Sequence, residues 1–318
     1  MKLVTFELAG TSRTGVLEDG QIWPLDPALT VRDTLGLAAR ERSTLLEASR
    51  PSAQPIVAAD TRLLAPLTPL TLRDFVCFEQ HVEGVVKTAS PDAQVMPDWY
   101  EAPTFYFSNS NAIFGPGDEI EVPPGCRLLD FELEVGVVIG VGGRDIPPHD
   151  AWEHIAGFTI FNDFSARDHG AREVRMGLGF AKAKDFANVL GPSVVTADEL
   201  EPFRRGDRLA LQCRAYRNGQ LVGEDSLANM AWSFAEIIAY ASRGTRLEPG
   251  DVLGSGTCGG GCLAEWWGRN GALEPRPLAP GDEVSLEVEA LGVLTNKIVA
   301  GVEPIPIPRA QPRLSQTT

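Results

Sequence analysis

The stretch LLDFELEVGVVIG, residues 128–140, carries an acid at every second position of an otherwise apolar run. Alternate side chains of a strand share one face, so Asp130, Glu132 and Glu134 would stand together. Adjacent acids would lie about 6.6 Å apart and repel by roughly 2.5 kcal/mol at an effective dielectric of 20. A bound cation would reverse this repulsion, whereas a solvated outer face would only screen it.

A second acidic motif, FTIFNDFSARDHG at 158–170, follows an apolar stretch. Its polar end carries Asn162, Asp163, Ser165, Arg167 and Asp168. The motif is either a functional site at a strand end or a turn in which Asn and Asp bond the local backbone. Carboxylates suit hard cations such as Mg²⁺ or Ca²⁺. A Zn or non-haem Fe site fits less well, because the chain has only four histidines and none lies beside Glu132, Glu134 or Asp163.

Two further stretches carry candidate side chains. LRDFVCFEQHVEG, residues 72–84, contains Asp74 and His81. A single histidine is usually a surface or core residue and gains interest here only as a general base. GLGFAKAKDF contains Lys182 and Lys184, which share one face if the segment is a strand. They would either neutralise substrate charge beside the acids or form a solvated face.

A glycine-rich stretch, GDVLGSGTCGGGCLAEWWG at 250–268, includes Glu265. Its glycines formally match G-x-G-x-x-G, but two more glycines follow, and a dinucleotide fingerprint should open a helix within a βαβ unit. We therefore reject that function. Cys258 and Cys262 lack the partner ligands of a zinc pair. The loop would let the backbone approach a small ligand closely.

The composition limits the class of protein. The chain has 318 residues, 43% of them hydrophobic, which is enough for one large domain or two. Its net charge of −15 argues against nucleic-acid binding. The sequence shows neither a secretion signal nor a run of membrane-spanning length, so we expect a cytoplasmic protein with reduced thiols and no membrane partner.

The pattern along the chain predicts three parts. Residues 1–65 form a small α/β domain, residues 66–303 a mainly β domain, and residues 304–318 a proline-rich tail that is extended or disordered. Within the second part, Ser226 is predicted to cap a helix that runs to Gly244, because the apolar residues that follow it recur at helical spacing.

Taken in order, these motifs resemble the fumarylacetoacetate hydrolase (FAH) family from about residue 63 to residue 302. LLDFELEVGVVIG is similar to the family's D-x-E-x-E metal strand, and FNDFSARD to its N-D-x-S-A-R-D signature. The resemblance implies a mainly β fold with some α (α+β), comprising a mixed β-roll or β-sandwich catalytic domain and a small N-terminal domain. It also implies a homodimer.

The resemblance assigns roles to individual residues. The metal ligands would be Glu132, Glu134, Asp163 and, with a weaker local match, Asp74. Mg²⁺ would be the cofactor, with Mn²⁺ and Ca²⁺ as alternatives. His81 would be the general base, oriented by Glu265. The side chains facing the substrate would be Arg167, Tyr106, Thr257 and Lys184, of which Lys184 would also stabilise developing charge.

The implied activity is hydrolysis of a carbon–carbon bond in a small 1,3-dioxo acid or acylpyruvate. Two departures affect the substrate: His169 and Gly170 stand where Gln is common, and Gly84 stands where acylpyruvate-cleaving relatives often carry Glu, with Glu83 one residue earlier. A metal-dependent isomerase, hydratase or decarboxylase acting through an enolate is therefore an alternative. A non-catalytic binding relative is another.

Overall fold

A computed structural model describes residues 1–50 and 54–311. The strands before residue 122 are β1 (Lys2–Leu8), β2 (Thr11–Glu18), β3 (Gln21–Pro24), β4 (Ile56–Val57), β5 (Leu63–Leu64), β6 (Leu72–Phe75), β7 (Phe105–Ser108), β8 (Ile113–Phe114) and β9 (Glu119–Glu121). Those of the central part are β10 (Leu129–Asp130), β11 (Leu133–Ile139), β12 (Gly143–Arg144), β13 (Ile155–Asp163), β14 (Ser165–Ala166) and β15 (Asn188–Thr196).

The remaining strands are β16 (Arg204–Arg205), β17 (Arg208–Leu209), β18 (Gln212–Arg217), β19 (Gln220–Ser226), β20 (Arg246–Leu247), β21 (Val252–Gly254), β22 (Glu283–Val288) and β23 (Gly292–Val299). The α-helices are α1 (Val31–Leu35), α2 (Ala39–Ser49), α3 (Glu79–Val86), α4 (Arg167–Arg175), α5 (Phe234–Ser242) and α6 (Leu263–Asn270). Short 3-10 helices cover Ala58–Asp60, Pro97–Tyr100, Ala151–His154, Ala197–Phe203 and Leu227–Asn229.

Two open sheets dominate the fold. The large sheet has the order β4-β3-β2-β1-β15-β13-β11-β21-β6-β7, with β5 beside β1 and β8 beside β15. The smaller sheet has the order β19-β18-β22-β23-β9. Most pairs are antiparallel, and β21–β6, β15–β8 and β23–β9 are parallel. The predicted mainly β class with some α is confirmed.

The large sheet is buried on both faces at its centre. On one face, Val137 and Phe158 join a core that includes β22, β23 and α5. On the other, Val138 and Phe161 pack in a second core with Val31 of α1. Strands covered on both sides are apolar throughout, which is why polar side chains in them need a local explanation.

The N-terminal strands extend the large sheet, since β1 pairs with β15 as well as with β2. The predicted domain boundaries at 65 and 303 stay predictions. Of the predicted tail, residues 304–311 are exposed and have neither helix nor strand, and 312–318 lie outside the described residues. Within the described part of the chain, no helix has the length and apolarity needed to cross a bilayer.

The helix predicted to start after Ser226 begins later. Ser226 caps only the 3-10 turn Leu227–Asn229, and Met230 then adopts an extended ψ of 123°. Ser233 caps α5, with Glu236 completing a capping box. The apolar spacing was read correctly for α5, but the extended backbone at Met230 interrupts the helical path.

Helices α3 and α6 pack at unusually close range. A Cβ at Gly84 would lie 2.9 Å from the Glu265 Cβ, and one at Gly268 would lie 2.0 Å from the Gly84 carbonyl oxygen. Two glycines therefore set the distance between the helices. Their close approach brings His81 of α3 to face Glu265 of α6.

We predict that Gly84→Ala lowers the free energy of unfolding by about 1–2 kcal/mol, because overpacking outweighs the better helix propensity of alanine. Gly36→Ala is the control, since its Cβ would meet its nearest neighbour, the Asp33 carbonyl oxygen, at 3.5 Å. Urea unfolding of the two variants measures the difference. Equal stability of both would contradict the close-packing explanation.

Candidate metal and catalytic site

Four carboxylates converge at the ends of neighbouring strands of the large sheet. Asp74 lies in β6, Glu134 in β11 and Asp163 at the end of β13, while Glu132 directly precedes β11. One oxygen from each lies within 4.8 Å of the others. All four residues are at most 3% exposed. A solvated outer face is therefore excluded for Glu132 and Glu134.

Gly254 makes room for this cluster. It pairs with Gly136 on one side and with Asp74 on the other, because β21 lies between β11 and β6. A Cβ at Gly254 would lie 2.3 Å from Asp74 Oδ1 and 2.9 Å from Glu134 Oε2. From the sequence, this glycine belonged to a rejected nucleotide motif and to a loop suited to close backbone approach, and its place between two acids was not predicted. A glycine inside a strand is itself a signal of close approach and could have found it.

Lys184 provides part of the positive charge that the cluster requires. Its Nζ lies 2.7 Å from Asp163 Oδ2 and also pairs with Glu132. Burial would lower the pKa of Lys184, but Asp163 and Glu132 raise it above its ordinary value. The segment is not a strand: Lys184 lies in a turn before β15 and is buried, whereas Lys182 is exposed beside Asp185, so the two lysines do not share a face.

Charge within the cluster is unevenly distributed. Burial would raise the pKa of Glu132, but Lys184 and Arg167 lower it to about 2. Burial raises the pKa of Asp163 to about 8, against the opposing effect of Lys184. Burial and then Asp74 raise the pKa of Glu134 well above its ordinary value. The lysine alone therefore does not neutralise the cluster.

The donor set fits a hard divalent cation. Asp74 Oδ1 and Asp163 Oδ1 are buried and have no hydrogen-bond partner. The four residues offer carboxylate oxygens, which Mg²⁺, Mn²⁺ and Ca²⁺ prefer. Burying a carboxylate oxygen without a partner costs free energy of folding, and a bound cation would provide the missing partner.

Asp130 has a different role from the acids that follow it. Its carboxylate accepts hydrogen bonds from Leu263 N at 2.8 Å and Ala264 N at 3.0 Å, at the start of α6. It also accepts one from Arg167 Nε at 2.9 Å, and Arg167 Nη2 lies 2.7 Å from Glu132. The predicted single strand is interrupted between β10 and β11. Asp130 is therefore a helix cap and an arginine anchor, outside the carboxylate cluster.

Tyr106 and Thr257 both line the cleft but hydrogen-bond to cluster acids. The Tyr106 hydroxyl donates to Asp74 Oδ2 at 2.5 Å and also contacts Asp163. The Thr257 hydroxyl lies 3.4 Å from Glu134 Oε1. Their predicted contact with substrate stays a prediction, because in this structure they support the carboxylates.

His81 and Glu265 form a buried hydrogen-bonded pair, with His81 Nδ1 3.0 Å from Glu265 Oε1. Glu265 Oε2 accepts from Gly260 N at 2.8 Å and from Arg269 Nη2 at 2.7 Å. A carboxylate held in this way favours a proton on Nδ1, which leaves Nε2 with its lone pair. Sequence reasoning missed Arg269, although its i,i+4 spacing from Glu265 was a usable signal.

Cys262 also lies beside this pair. Its Sγ is 3.7 Å from His81 Nδ1 and 3.8 Å from Glu265 Oε1. Burial and then Asp130 raise the pKa of Cys262 well above its ordinary value. The thiol is therefore neutral in the metal-free protein. All five cysteines are free.

His81 and the carboxylate cluster border one cleft with about 510 Å³ of empty space, part of it open to solvent. Its polar wall carries three of the cluster acids, Asp74, Glu132 and Glu134, together with Arg167 and Lys184. Its apolar wall comprises Phe75, Val76, Val82, Val85, Val86 and Phe180. The cleft can therefore hold an anionic group at one end and an apolar or uncharged group at the other.

We predict that Gly254→Ala lowers the affinity for Mg²⁺ by about 100-fold or more, since the added methyl occupies the space between two ligands. Isothermal titration of the metal-stripped protein measures this, with Gly36→Ala as the control. Wild-type affinity in Gly254→Ala would show that the cation binds elsewhere.

The raised pKa of Asp163 predicts how stability depends on pH. The unfolded pKa is about 3.9 and the folded value about 8, so the protonated form stabilises the fold. This contribution is complete below the unfolded pKa and is lost as pH rises through the folded one. Thermal unfolding of metal-free protein should therefore show Tm falling between about pH 4 and pH 8, and less so with Mg²⁺. Asp163→Asn should flatten the curve; parallel wild-type and variant curves would contradict the assignment.

Comparison with known proteins agrees with this geometry. Oxaloacetate tautomerase Fahd2a, mitochondrial, of Rattus norvegicus is 36% identical over 198 residues, which are 62% of this chain and 59% of that protein. The chain thus spans under two thirds of that relative's length. The fumarylacetoacetate hydrolase of Exiguobacterium antarcticum superposes with a TM-score of 0.73 at 25% identity, covering 95% of this chain and all of that one.

A Sphingobium maleylpyruvate hydrolase, solved with manganese(II) and pyruvate, has the same fold, with a TM-score of 0.70 at 21% identity over 95% of this chain and 100% of that one. Residues 71–299 match the family described as fumarylacetoacetate (FAA) hydrolase C-terminal. The match covers most of the chain and includes the four cluster acids, His81 and Glu265. The protein belongs to the fumarylacetoacetate hydrolase family.

Proposed function

We propose that this protein is a divalent-cation-dependent enzyme that moves a proton next to the keto group of a small 2-oxo acid, and so interconverts its keto and enol forms. The observation that carries the proposal is that His81, hydrogen-bonded to Glu265, lines the same cleft as Asp74, Glu132 and Glu134. The activity named for the rat relative supports oxaloacetate as the first acid to test.

The cluster acids, Asp74, Glu132, Glu134 and Asp163, would hold the cation, and Mg²⁺ is the ion we propose. When bound, it would supply Lewis-acid polarisation of the keto and carboxylate oxygens of the substrate. The two unpartnered oxygens of Asp74 and Asp163 support this role.

His81 would carry the proton. Its Nε2 accepts the proton from the carbon beside the keto group, and the imidazolium then donates it to the oxygen; the reverse sequence converts enol to ketone. Glu265 fixes Nδ1–H and stabilises the imidazolium while the proton is held. Substrate and product have the same mass, and no water is consumed. Lys184, beside the cluster, would stabilise negative charge on the oxygen.

The neighbourhood of His81 favours proton transfer over hydrolysis. Acylpyruvate-cleaving relatives often carry a glutamate three residues after the histidine, where this chain has Gly84. A side chain at Gly84 would meet Glu265 within 3 Å. Glu83 is exposed, outside the cleft lining. Neither position provides a second acid that could hold water against His81.

Hydrolysis of a carbon–carbon bond in an acylpyruvate is the second candidate. The cleft shares Val85, Arg167, Phe180 and Lys184 with a larger and mainly apolar cavity, which could receive an acyl group. His81 would then take a proton from water, and the resulting hydroxide would attack the carbonyl. Two fragments would form instead of one isomer.

The remaining expectations rest on resemblance and charge. We propose that the protein is a homodimer that binds a small keto acid and neither nucleic acid nor membranes. A cytoplasmic location stays a prediction, and the rat relative is named mitochondrial.

The test is a mass-resolved assay of metal-stripped protein supplied with Mg²⁺, Mn²⁺ or Ca²⁺. Oxaloacetate and a set of acylpyruvates serve as substrates, and enol absorbance is followed in parallel. We expect metal-dependent keto–enol interconversion without change of mass. His81→Asn should lower kcat by about 10²–10⁴-fold, and Glu265→Gln should lower it through loss of the carboxylate partner.

His149→Asn is the matched control, since its side chain is 81% exposed. Two fragments from an acylpyruvate would favour the second candidate, and loss of CO₂ would identify a decarboxylase. Metal and keto-acid binding without turnover of any substrate would identify a binding relative and refute both enzymatic proposals.

A further inference from the structure

Cys262, His81 and Glu265 bring three different ligand types together next to the carboxylate cluster. One donor atom from each lies within 4.8 Å of the others, and all three residues are buried. The separations are 3.7 Å for Cys262 Sγ to His81 Nδ1, 3.8 Å for Sγ to Glu265 Oε1, and 3.0 Å for Nδ1 to Oε1.

These separations approach those around a tetrahedral zinc ion. Bond lengths of about 2.3 Å to sulfur and about 2.0–2.1 Å to nitrogen and oxygen give ligand separations of about 3.3–3.6 Å. Each observed distance is therefore within a few tenths of an ångström of the requirement. Three protein ligands with a fourth position left to water is a common arrangement for zinc.

We propose that Cys262, His81 and Glu265 form a second metal site, selective for thiophilic divalent cations such as Zn²⁺, and that its occupation inhibits the enzyme. Sulfur and imidazole ligands favour Zn²⁺ over Mg²⁺, whereas the four-carboxylate cluster favours hard cations. The two adjacent sites therefore differ in selectivity. The inhibition rests on the proposed function, because the ion would bind His81 Nδ1 and Glu265 Oε1, the two atoms that join this pair. Metal binding itself does not depend on the proposed function.

The surroundings of the three ligands support metal binding. Arg269 and Gly260 N occupy Glu265 Oε2 and leave Oε1 to face the other two ligands. Cys262 is the N-cap residue of α6, which fixes its thiol beside His81 and Glu265. On binding, the thiol releases its proton to solvent, and the imidazole loses its Nδ1 proton while Nε2 takes one up, so that Sγ and Nδ1 can each donate a lone pair to the ion. His81 lines the cleft, which provides the route of entry.

The experiment uses full-length protein saturated with Mg²⁺ and titrated with Co²⁺ as a spectroscopic probe. We expect a near-ultraviolet thiolate-to-cobalt absorption band that saturates at one Co²⁺ per chain. Cys262→Ser should abolish the band. Cys213→Ser, which alters another fully buried cysteine, should retain it.

Zn²⁺ binding is measured by equilibrium dialysis in excess Mg²⁺. The dissociation constant should rise by about 100-fold or more in Cys262→Ser. His81→Asn removes a different ligand and should also weaken binding, so the result does not depend on one variant; thermal unfolding checks that each variant is folded. A missing thiolate band in wild type, or Zn²⁺ binding unaltered in both variants, would overturn the site.

Inhibition is then measured relative to each protein's own Mg²⁺-supported activity. Wild type should lose activity as Zn²⁺ fills the site, and Cys262→Ser should require about 100-fold more Zn²⁺. A thiolate band without inhibition would leave the metal site in place and refute its inhibitory role and the role of His81 as base. The two failures are thereby distinguishable.

Discussion

Electrostatic repulsion among four buried carboxylates is the constraint on which the site depends. Two ionised groups 4 Å apart repel by about 4 kcal/mol at an effective dielectric of 20, and a folded protein is stable by only about 5–15 kcal/mol. Such a cluster can persist only if protons or cations neutralise it. The raised pKa values of Asp163 and Glu134 show neutralisation by protons, and Lys184 contributes a cation. A bound divalent ion would neutralise the carboxylates in place of both the protons and the lysine.

The sheet holds these groups together despite their repulsion. The ligands lie at the ends of β6, β11 and β13, whose interiors are packed on both faces, so the ends cannot separate without disturbing the core. Gly254 in the intervening β21 keeps the space between two of the acids open. On the opposite side of the cleft, Gly84 fixes α3 against α6 and thereby holds His81 to Glu265. Small residues control both halves of the site.

The sequence was informative about residue types and less so about their surroundings. Acids within an apolar run indicated a buried polar site, and the structure brings Asp74, Glu132, Glu134 and Asp163 together. The alternation pattern failed at Asp130, because the strand is interrupted and α6, formed more than 130 residues later, takes that carboxylate as its cap.

Contacts between distant segments account for the other roles that were not predicted from the sequence. The importance of Gly254 depends on the register of β21 against β6 and β11, which local periodicity does not specify. Cys262 was considered only as a partner of Cys258, because their spacing is visible in the sequence. Its neighbours are instead His81, 181 residues away, and Glu265.

The distribution of positive charge suggests that cation and substrate binding are coupled. Lys184 is shared between Glu132 and Asp163, and Arg167 between Glu132 and Asp130. While these pairs persist, neither side chain is available to an anionic substrate. A divalent ion that neutralised Glu132 and Asp163 would weaken their ion pairs with Lys184 and Arg167. These two side chains could then donate hydrogen bonds into the cleft. The same acids that bind the ion would then control, through Lys184 and Arg167, the affinity for a keto acid.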